Sequence, residues 1–534
     1  MKKNIHDLKH DLWKIACDLR GHMDAFEFKD YILSILCFRF LSEKLENCLK
    51  NRGLGKFQEY KEEFDNDQET IKNMLIDELG FYLKPKELWS YLIKVIENNS
   101  NEFHYKLLSD AFVSIEETPI NYKYKHVFSN LFSNIDLDNI ERGSTTENKN
   151  TLLSRIILSI NNLCPFNSYC NEYLGDIYEY LIGQFAASAG KKAGEFFTPS
   201  SVSNLIAKIV TSDSNKTKGK LTIYDPTCGS GSLLLKVFRE IKNKNKDIAN
   251  INNENNDIAI YGQELNNTTY NLARMNMLMH DIDYFNISIY NGDTLTDFGN
   301  KHPHRQIVSK KSGFDIIVAN PPYSLTWCKE PNSKIILKDD ERFSNCGKLA
   351  PKNKADWAFV QHMLYCLKED GICAVVLPHG VLFRGKAEAL IRKYILEQKY
   401  LDAVIGLPEN IFYGMDHTTC ILIFRKCQTN NNILFIDASK EYITQRTKNI
   451  LSEKNIDNIL QTYLKRENIA NISFKASMED IKKNDYILSI NYYIKTETKT
   501  EEIDIISVQN RIKQLENEKK AVDKEIDNYL KELE

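Results

Sequence analysis

Apolar residues fall at helical spacing through the first part of the chain. Leu8, Leu12, Ile15 and Leu19 recur every three or four residues before Gly21 interrupts. Phe28, Ile32, Ile35, Leu36, Phe40, Leu41 and Leu45 then line one broad face of a run over 26–49. Such spacing marks amphipathic helices. Leu92, Ile93, Val95 and Ile96, and later Val127, Leu131, Phe132 and Ile135, predict more of them. No strand pattern and no catalytic motif stands out here, so residues 1–150 are expected to form a helical accessory domain.

From about residue 150 the texture changes to alternation. Short apolar runs at 221–225, 258–263, 287–290, 314–319, 372–377, 401–406 and 420–424 have strand length. Helical patterns at 202–210, 232–242, 267–279, 357–367 and 386–396 lie between most of them. This order predicts an α/β domain over 151–470, a mostly parallel sheet of seven strands with helices on both faces. Such sheets bind ligands beyond the carboxyl ends of their strands. Two segments break the alternation. Residues 243–257, rich in Asn and Lys, read as a solvated loop. Residues 329–354 are charged and irregular, and a loop of that length is either functional or disordered until substrate arrives. The remaining stretch, 471–534, ends in a heptad: Ile505, Val508, Ile512, Leu515, Lys519, Val522, Ile526, Tyr529 and Leu533 alternate spacings of three and four. Only Lys519 interrupts this coiled-coil-like seam, which suits a helix from another chain better than packing on its own domain.

Composition narrows the function classes. Of the 534 residues 42% are hydrophobic and 27% charged, which argues against a disordered or fibrous chain. Basic residues number 70 and acidic ones 73, a net charge of -3. A free-standing DNA binder shows a basic excess, so any nucleic acid here is gripped by a local patch or a partner. The 12 cysteines include no C-x-x-C pair, which removes zinc-ribbon and thioredoxin readings and fits reduced thiols. No signal-peptide core and no run of about 20 apolar residues is present, so a soluble, cytoplasmic protein without membrane contact is expected.

Candidate chemistry sits just after the strands. Asp225-Pro226-Thr227-Cys228-Gly229-Ser230-Gly231-Ser232 follows the first strand and opens a helix. Gly229 and Gly231 let the backbone turn tightly against a ligand, and the helix beyond offers free N–H groups. Leu234 stands where a dinucleotide fingerprint needs glycine, and no Walker lysine is present. The turn therefore suits a nucleoside with a charged amino-acid tail better than a polyphosphate. Glu264 ends the next strand, where a carboxylate can accept both hydroxyls of a ribose. Asp293 follows a third strand and can accept from an adenine amino group. Asn320-Pro321-Pro322-Tyr323 follows the run 314–319. The Asn320 amide oxygen and the Pro321 carbonyl are two acceptors suited to both hydrogens of a planar exocyclic amine. Tyr323 can stack on the ring that bears it. His280, His362, His379 and His417 have no Ser or Cys nucleophile motif beside them and read as structural or surface residues. Cys228 reads as a small filler.

The pair Asp-Pro-x-x-Gly-x-Gly and Asn-Pro-Pro-Tyr resembles the signatures of S-adenosylmethionine-dependent amino-methyltransferases of DNA. Gly194-Glu195-Phe196-Phe197-Thr198-Pro199, with Ser200, is similar to the segment that touches the methionine part of the cofactor in those enzymes. The order of the three motifs looks like the γ arrangement of adenine-N6 enzymes. The stretches Leu19-Arg20-Gly21-His22-Met23-Asp24-Ala25-Phe26, Ala355-Asp356-Trp357-Ala358-Phe359 and Gly406-Leu407-Pro408-Glu409-Asn410-Ile411-Phe412 resemble modification subunits of type I restriction–modification systems. The likeness runs from about residue 8 to 494, with a departure at Met415-Asp416-His417-Thr418.

The resemblance implies a Rossmann-like methyltransferase domain that transfers a methyl group from S-adenosyl-L-methionine to adenine N6 in double-stranded DNA. It implies Asn320, Pro321, Pro322 and Tyr323 as the catalytic motif. Glu195, Phe196, Phe197, Thr198, Pro199, Ser200, Asp225, Thr227, Cys228, Gly229, Ser230, Gly231, Ser232, Glu264 and Asp293 are the cofactor-binding set. No metal is needed. A separate specificity subunit reads the sequence, two modification subunits join it, and a restriction subunit can add to that core. Competing readings are a self-sufficient adenine-N6 methyltransferase, a cofactor-binding scaffold without turnover, transfer to cytosine N4, and methylation of protein glutamine. Asn before Pro-Pro disfavours cytosine, the helical N-terminal domain disfavours the glutamine enzymes, and the short tail leaves little room for a built-in DNA reader.

Overall fold

A computed structural model describes residues 25–98, 103–118, 124–138, 145–163, 168–188, 198–213, 220–248, 258–299, 302–308, 312–327, 337, 339–412, 418–427, 431–445, 448–494, 512–516, 519 and 522. Up to residue 188 every regular element is helical, the longest being Ala25–Asn51, Thr146–Leu163 and Ser168–Ser188. Phe28, Ile32, Ile35, Leu36, Phe40, Leu41 and Leu45 are all buried, as their spacing requires. The run Leu8, Leu12, Ile15, Leu19 and the segment 19–24 lie outside the described residues.

Beyond them stands one large sheet. Its strands are β1 (Leu221–Asp225), β2 (Ile258–Glu264), β3 (Ile287–Asn291), β4 (Phe314–Ala319), β5 (Leu367–Pro378), β6 (Leu401–Gly406), β7 (Thr419–Arg425), β8 (Asn432–Asp437) and, after the separate ribbon β9 (Ile443–Gln445) and β10 (Lys448–Ile450), β11 (Ser473–Ser477). The spatial order is β11-β8-β6-β7-β5-β4-β1-β2-β3. The seven expected strands are all present, and β8 and β11 extend the sheet to nine. Neighbours are parallel except at β5–β7, β6–β7 and β8–β11. The segment 432–437 is a plain apolar run, whereas β11 carries a polar edge-strand sequence that periodicity alone does not reveal.

Chain direction explains where a ligand must bind. From β1 the chain steps outward through β2 and β3, then returns to lay β4 on the other side of β1. Its connections therefore diverge at the β1–β4 boundary and leave a crevice at the carboxyl ends. Tyr224 stands opposite Ile317 there, so both strands deliver their following loops to one place. All six residues of β4 are buried, the continuous apolar pattern of a strand covered on both faces. Asp315 is the exception in kind: its Oδ2 accepts from Thr222 N and Oγ1 at 2.9 and 2.7 Å, and its Oδ1 pairs with Lys368 Nζ at 2.7 Å. One buried carboxylate thus ties β1, β4 and β5 together.

One apolar core runs from Phe28 through the helical region onto one face of the sheet, and a second, around Trp357, Phe343 and Phe435, covers the other. The helical region also covers the β3 edge. Arg274, fully buried on the helix Asn267–Met279, donates to the carbonyls of His126, Val127, Ser129 and Asn130 and to Asn271 Oδ1. His126 Nε2 lies 3.1 Å from the Ile287 carbonyl. Of the heptad, Ile512, Leu515, Lys519 and Val522 are helical and exposed; its other positions lie outside the described residues. No helix among the described residues is long and apolar enough to cross a membrane.

Candidate active site

The loop after β1 is held from three sides. Thr227 N donates to Asp225 Oδ1 at 2.9 Å, closing a local turn. Cys228 N donates to the Gln263 carbonyl at 2.9 Å, and Gly229 N to Glu264 Oε2 at 3.1 Å. Asn276 Nδ2 donates to the Ser230 carbonyl at 2.9 Å, and Thr294 Oγ1 to that of Pro226. Gly229 and Gly231 have φ of 55° and 78°, the left-handed region that glycine enters without strain. The Met277 side-chain tip lies where a Cβ on Gly231 would stand. Ser232 then starts a helix that runs to Ile248, longer than its sequence pattern suggests, and the Ser230 and Ser232 hydroxyls lie 3.1 Å apart. Cys228 is buried within this loop, and burial pushes its thiol well above the usual cysteine range.

Two buried acids meet at this loop. Asp225 is only 2% exposed, and burial, reinforced by the charge of Glu264, pushes its carboxyl up to about 8 against the hydrogen bond from Thr227. Burial also raises Glu264, opposed by backbone donors. Its Oε1 accepts from Asn266 N at 2.8 Å, so Glu264 itself spans the loops after β1 and β2. With backbone donors from Gly229, Leu265 and Asn266 on four lone pairs, the carboxylate keeps acceptor capacity for a ribose hydroxyl. Asp293 is half-buried; its Oδ1 accepts from Leu295 N at 2.9 Å, and its own N–H goes to Asp297 Oδ2 at 2.7 Å. Of the aromatic segment, Glu195, Phe196 and Phe197 lie outside the described residues. Thr198 is buried, and the Pro199 carbonyl accepts from Val202 and Ser203 at the start of the helix Ser200–Val210.

Across the crevice, β4 delivers Asn320, Pro321, Pro322 and Tyr323. The Tyr323 hydroxyl donates to Asn320 Oδ1 at 2.7 Å, and the ring packs on the core. Burial pushes this phenol well above the usual tyrosine range. Tyr323 therefore touches the very oxygen expected to accept an amine hydrogen, which the sequence does not reveal. An amide oxygen has two lone pairs, so Asn320 can keep Tyr323 and accept once more.

Sequence reasoning missed two supports. Arg342, in the irregular segment 329–354, is buried. It donates to the carbonyls of Thr294 and Leu295 at 2.8 Å, pairs with Asp340, and lies 3.1 Å from His362 Nδ1. His362 Nε2 is in turn 3.0 Å from the Tyr224 hydroxyl. Burial and Arg342 together keep this imidazole well below the usual histidine range, so it is neutral. The second support, Asp356, carries the turn after Tyr323 and is taken up below. His280 is half-buried against Arg239, His379 is half-buried, and His417 lies outside the described residues. Asp176, Glu179 and His280 cluster as cation ligands could, but Lys236 and Arg239 already pair with the two carboxylates.

The arrangement can bind an elongated nucleoside across the ends of β1, β2 and β3 and present a planar amine to it from the end of β4. Two family models match this chain: N-6 DNA Methylase over residues 170–502 and the HsdM N-terminal domain over 8–160. The chain is 35% identical over 532 residues to the methylase subunit of the type I restriction enzyme MpnII of Mycoplasma pneumoniae, covering 98% of this chain and 95% of that one. It is 30% identical to the MjaVIII methylase subunit of Methanocaldococcus jannaschii, covering 94% and 81%. Its structure is similar to that of a type I restriction-modification system methyltransferase subunit from Streptococcus thermophilus, with a TM-score of 0.81 and 35% identity over 92% of this chain and 100% of that one.

Proposed function

The chain belongs to the N-6 DNA methylase family, and from that premise we propose that it is the modification subunit of a type I restriction–modification complex, transferring a methyl group to adenine N6 in DNA. The observation that carries this reading is the crevice between β1 and β4, with the glycine loop on one wall and Asn320 on the other. Bound S-adenosyl-L-methionine supplies an electrophilic methyl sulfonium. Asp225 would face its ammonium end, Glu264 its ribose and Asp293 its adenine amine, and the family motif assigns Glu195, Phe196, Phe197, Thr198, Pro199 and Ser200 to the methionine side.

The acceptor adenine is unreachable inside a duplex and must be flipped out, at a cost of a few kcal/mol. Asn320 Oδ1 and the Pro321 carbonyl accept the two N6 hydrogens, drawing electron density onto nitrogen and aiming its lone pair. Pro322 holds the backbone rigid, and Tyr323 stacks on the purine. Held in this way, N6 would take the methyl group from the sulfonium, whose sulfur would keep the electron pair of the broken sulfur–carbon bond, and the surplus N6 proton would pass to water. Catalysis is positioning and polarisation.

The balanced charge of -3 fits delegation of sequence reading to a specificity subunit. Residues 1–150 are the helical domain; the catalytic domain, expected to end at 470, takes in β11 (Ser473–Ser477) as a strand of its sheet, and the heptad helix beyond it docks the partner. A second copy of the chain joins the same specificity subunit, a restriction subunit can add to them, and the assembly works in the cytoplasm.

The test is transfer from labelled S-adenosyl-L-methionine to DNA, with and without the specificity protein encoded alongside, the product nucleosides being resolved. N6-methyladenine only with the partner is the expected result. The same product without it makes the enzyme self-sufficient, and no methylated base at all points to the scaffold. Asn320→Ala should nearly abolish transfer while calorimetry still shows cofactor binding.

A further inference from the structure

The turn that follows Tyr323 is strained and braced. Ser324 has φ of 51°, a left-handed conformation that a serine holds only when its surroundings demand it. Its N–H donates to Asp356 Oδ1 at 3.0 Å, and Asp356 is fully buried at the start of the helix Asp356–Cys366. The other oxygen, Oδ2, accepts from Arg384 Nη1 at 2.8 Å. Arg384 comes from the loop after β5, and its guanidinium lies against Gly380, where a Cβ would stand only 2.5 Å from Nε and Nη2. Leu325 O accepts from Ala355 N at 3.1 Å and Trp327 N donates to Lys352 O at 2.9 Å, so 324–327 is laid along 352–356. A buried carboxylate with one oxygen on a strained amide and the other on a cation forms a charge-assisted strut. It connects the loops after β4 and β5, and it ends one residue from the ring that caps Asn320.

Building on the N6-transfer reading, we propose that Asp356 and Arg384 are positioning residues for methyl transfer: they hold the Ser324 turn and so fix the Tyr323 ring and the Asn320 amide at the acceptor base. Neither side chain touches the reacting atoms. Their effect belongs on turnover and leaves cofactor binding alone, because the strut lies on the β4–β5 side of the crevice and the cofactor loops on the β1–β3 side.

The test uses Arg384→Gln, Arg384→Lys and Asp356→Asn in the full chain. Turnover is measured with the specificity partner at saturating cofactor and DNA, cofactor affinity by calorimetry, and protection of the Asn320 and 323–327 amides by hydrogen exchange. Arg384→Gln should lower kcat about 10- to 100-fold, the scale of a small misplacement, leave the cofactor Kd within about twofold, and speed exchange at Ser324. Arg384→Lys keeps the charge and should recover most of the loss. If Arg384→Gln folds with unchanged kcat, or loses cofactor affinity in step with kcat, the proposal is wrong. A wild-type complex that makes no N6-methyladenine sinks the function reading alone. The exchange measurement needs no turnover, and unaltered protection in both Arg384→Gln and Asp356→Asn would overturn the strut on its own.

Discussion

Tyr323 combines a flat ring with a hydroxyl, and the two make separable contributions. The ring is the proposed stacking surface; the hydroxyl fixes the Asn320 amide by donating to its Oδ1. Tyr323→Phe deletes one hydrogen bond, worth about 1 kcal/mol, so transfer should fall no more than about tenfold. Tyr323→Ala also deletes the stacking surface, worth about 1–3 kcal/mol, and should cost considerably more. Equal losses in steady-state kcat would show that the ring does nothing. Asp225 makes a pH prediction. Its carboxyl sits at about 8 in the free protein, so near neutrality it is largely protonated, and a cationic ammonium placed beside it favours the ionised form. Cofactor binding should then release a proton, and affinity should rise with pH until about 8 and level off above. Calorimetry in buffers of different ionisation enthalpy reads that proton directly; affinity flat between about pH 6 and 8 refutes it. The same raised carboxyl has the opposite sign for folding. The folded form keeps a proton that the unfolded chain releases, so this group weakens stability as pH climbs from about 4 towards 8.

At the scale of elements, the parts legible in the sequence were those with a period or a motif. The helix expected at 267–279 is Asn267–Met279, with Asn266 capping it through Thr269 N. The helix expected at 357–367 is Asp356–Cys366, and the seven expected strands form within a few residues of their runs. The glycine loop and Asn320 stand at strand ends because polar and glycine residues after apolar runs can hardly stand elsewhere. The supports were illegible for a plain reason. Arg342 is a charged residue in a segment that looks solvated, and Asp356 is the polar head of an apolar helical run; only the packed structure shows that both are buried and what they hold. Nothing local in Asp340-Glu341-Arg342-Phe343 says that its guanidinium reaches carbonyls roughly fifty residues upstream. Arg342→Met should strand those carbonyls and loosen the Asp293 loop. Each lost partner costs about 1–3 kcal/mol, so cofactor Kd should weaken about tenfold with a lower thermal transition. A variant that unfolds earlier yet binds cofactor as wild type would confine Arg342 to stability.

At the scale of the molecule, the helical region and the sheet are joined through Arg274, which places five hydrogen bonds across or beside the joint. Arg274→Ala orphans several buried carbonyls at once, and a loss above about 3 kcal/mol in denaturant unfolding is expected. Hydrogen exchange should quicken in 125–130 and 267–279 together. A loss below about 1 kcal/mol would mean that the apolar core alone carries the joint. The polar edge strand β11 and the way the helical region docks on the sheet were the least legible features, because each is defined by what it packs against; β8, a plain apolar run, could have been read.

The return of the chain from β3 to β4 also sets a timetable for synthesis. β1 leaves the ribosome with one side destined for a strand that follows roughly ninety residues later. At about 5–20 residues per second, that apolar edge waits on the order of 5–20 seconds for its partner. Unpaired hydrophobic edges recruit other chains, so the growing polypeptide is most exposed to aggregation just as the two walls of its active-site crevice are being made. A chaperone contact in that interval would protect yield without changing the finished enzyme, whereas a translational pause there would lower it.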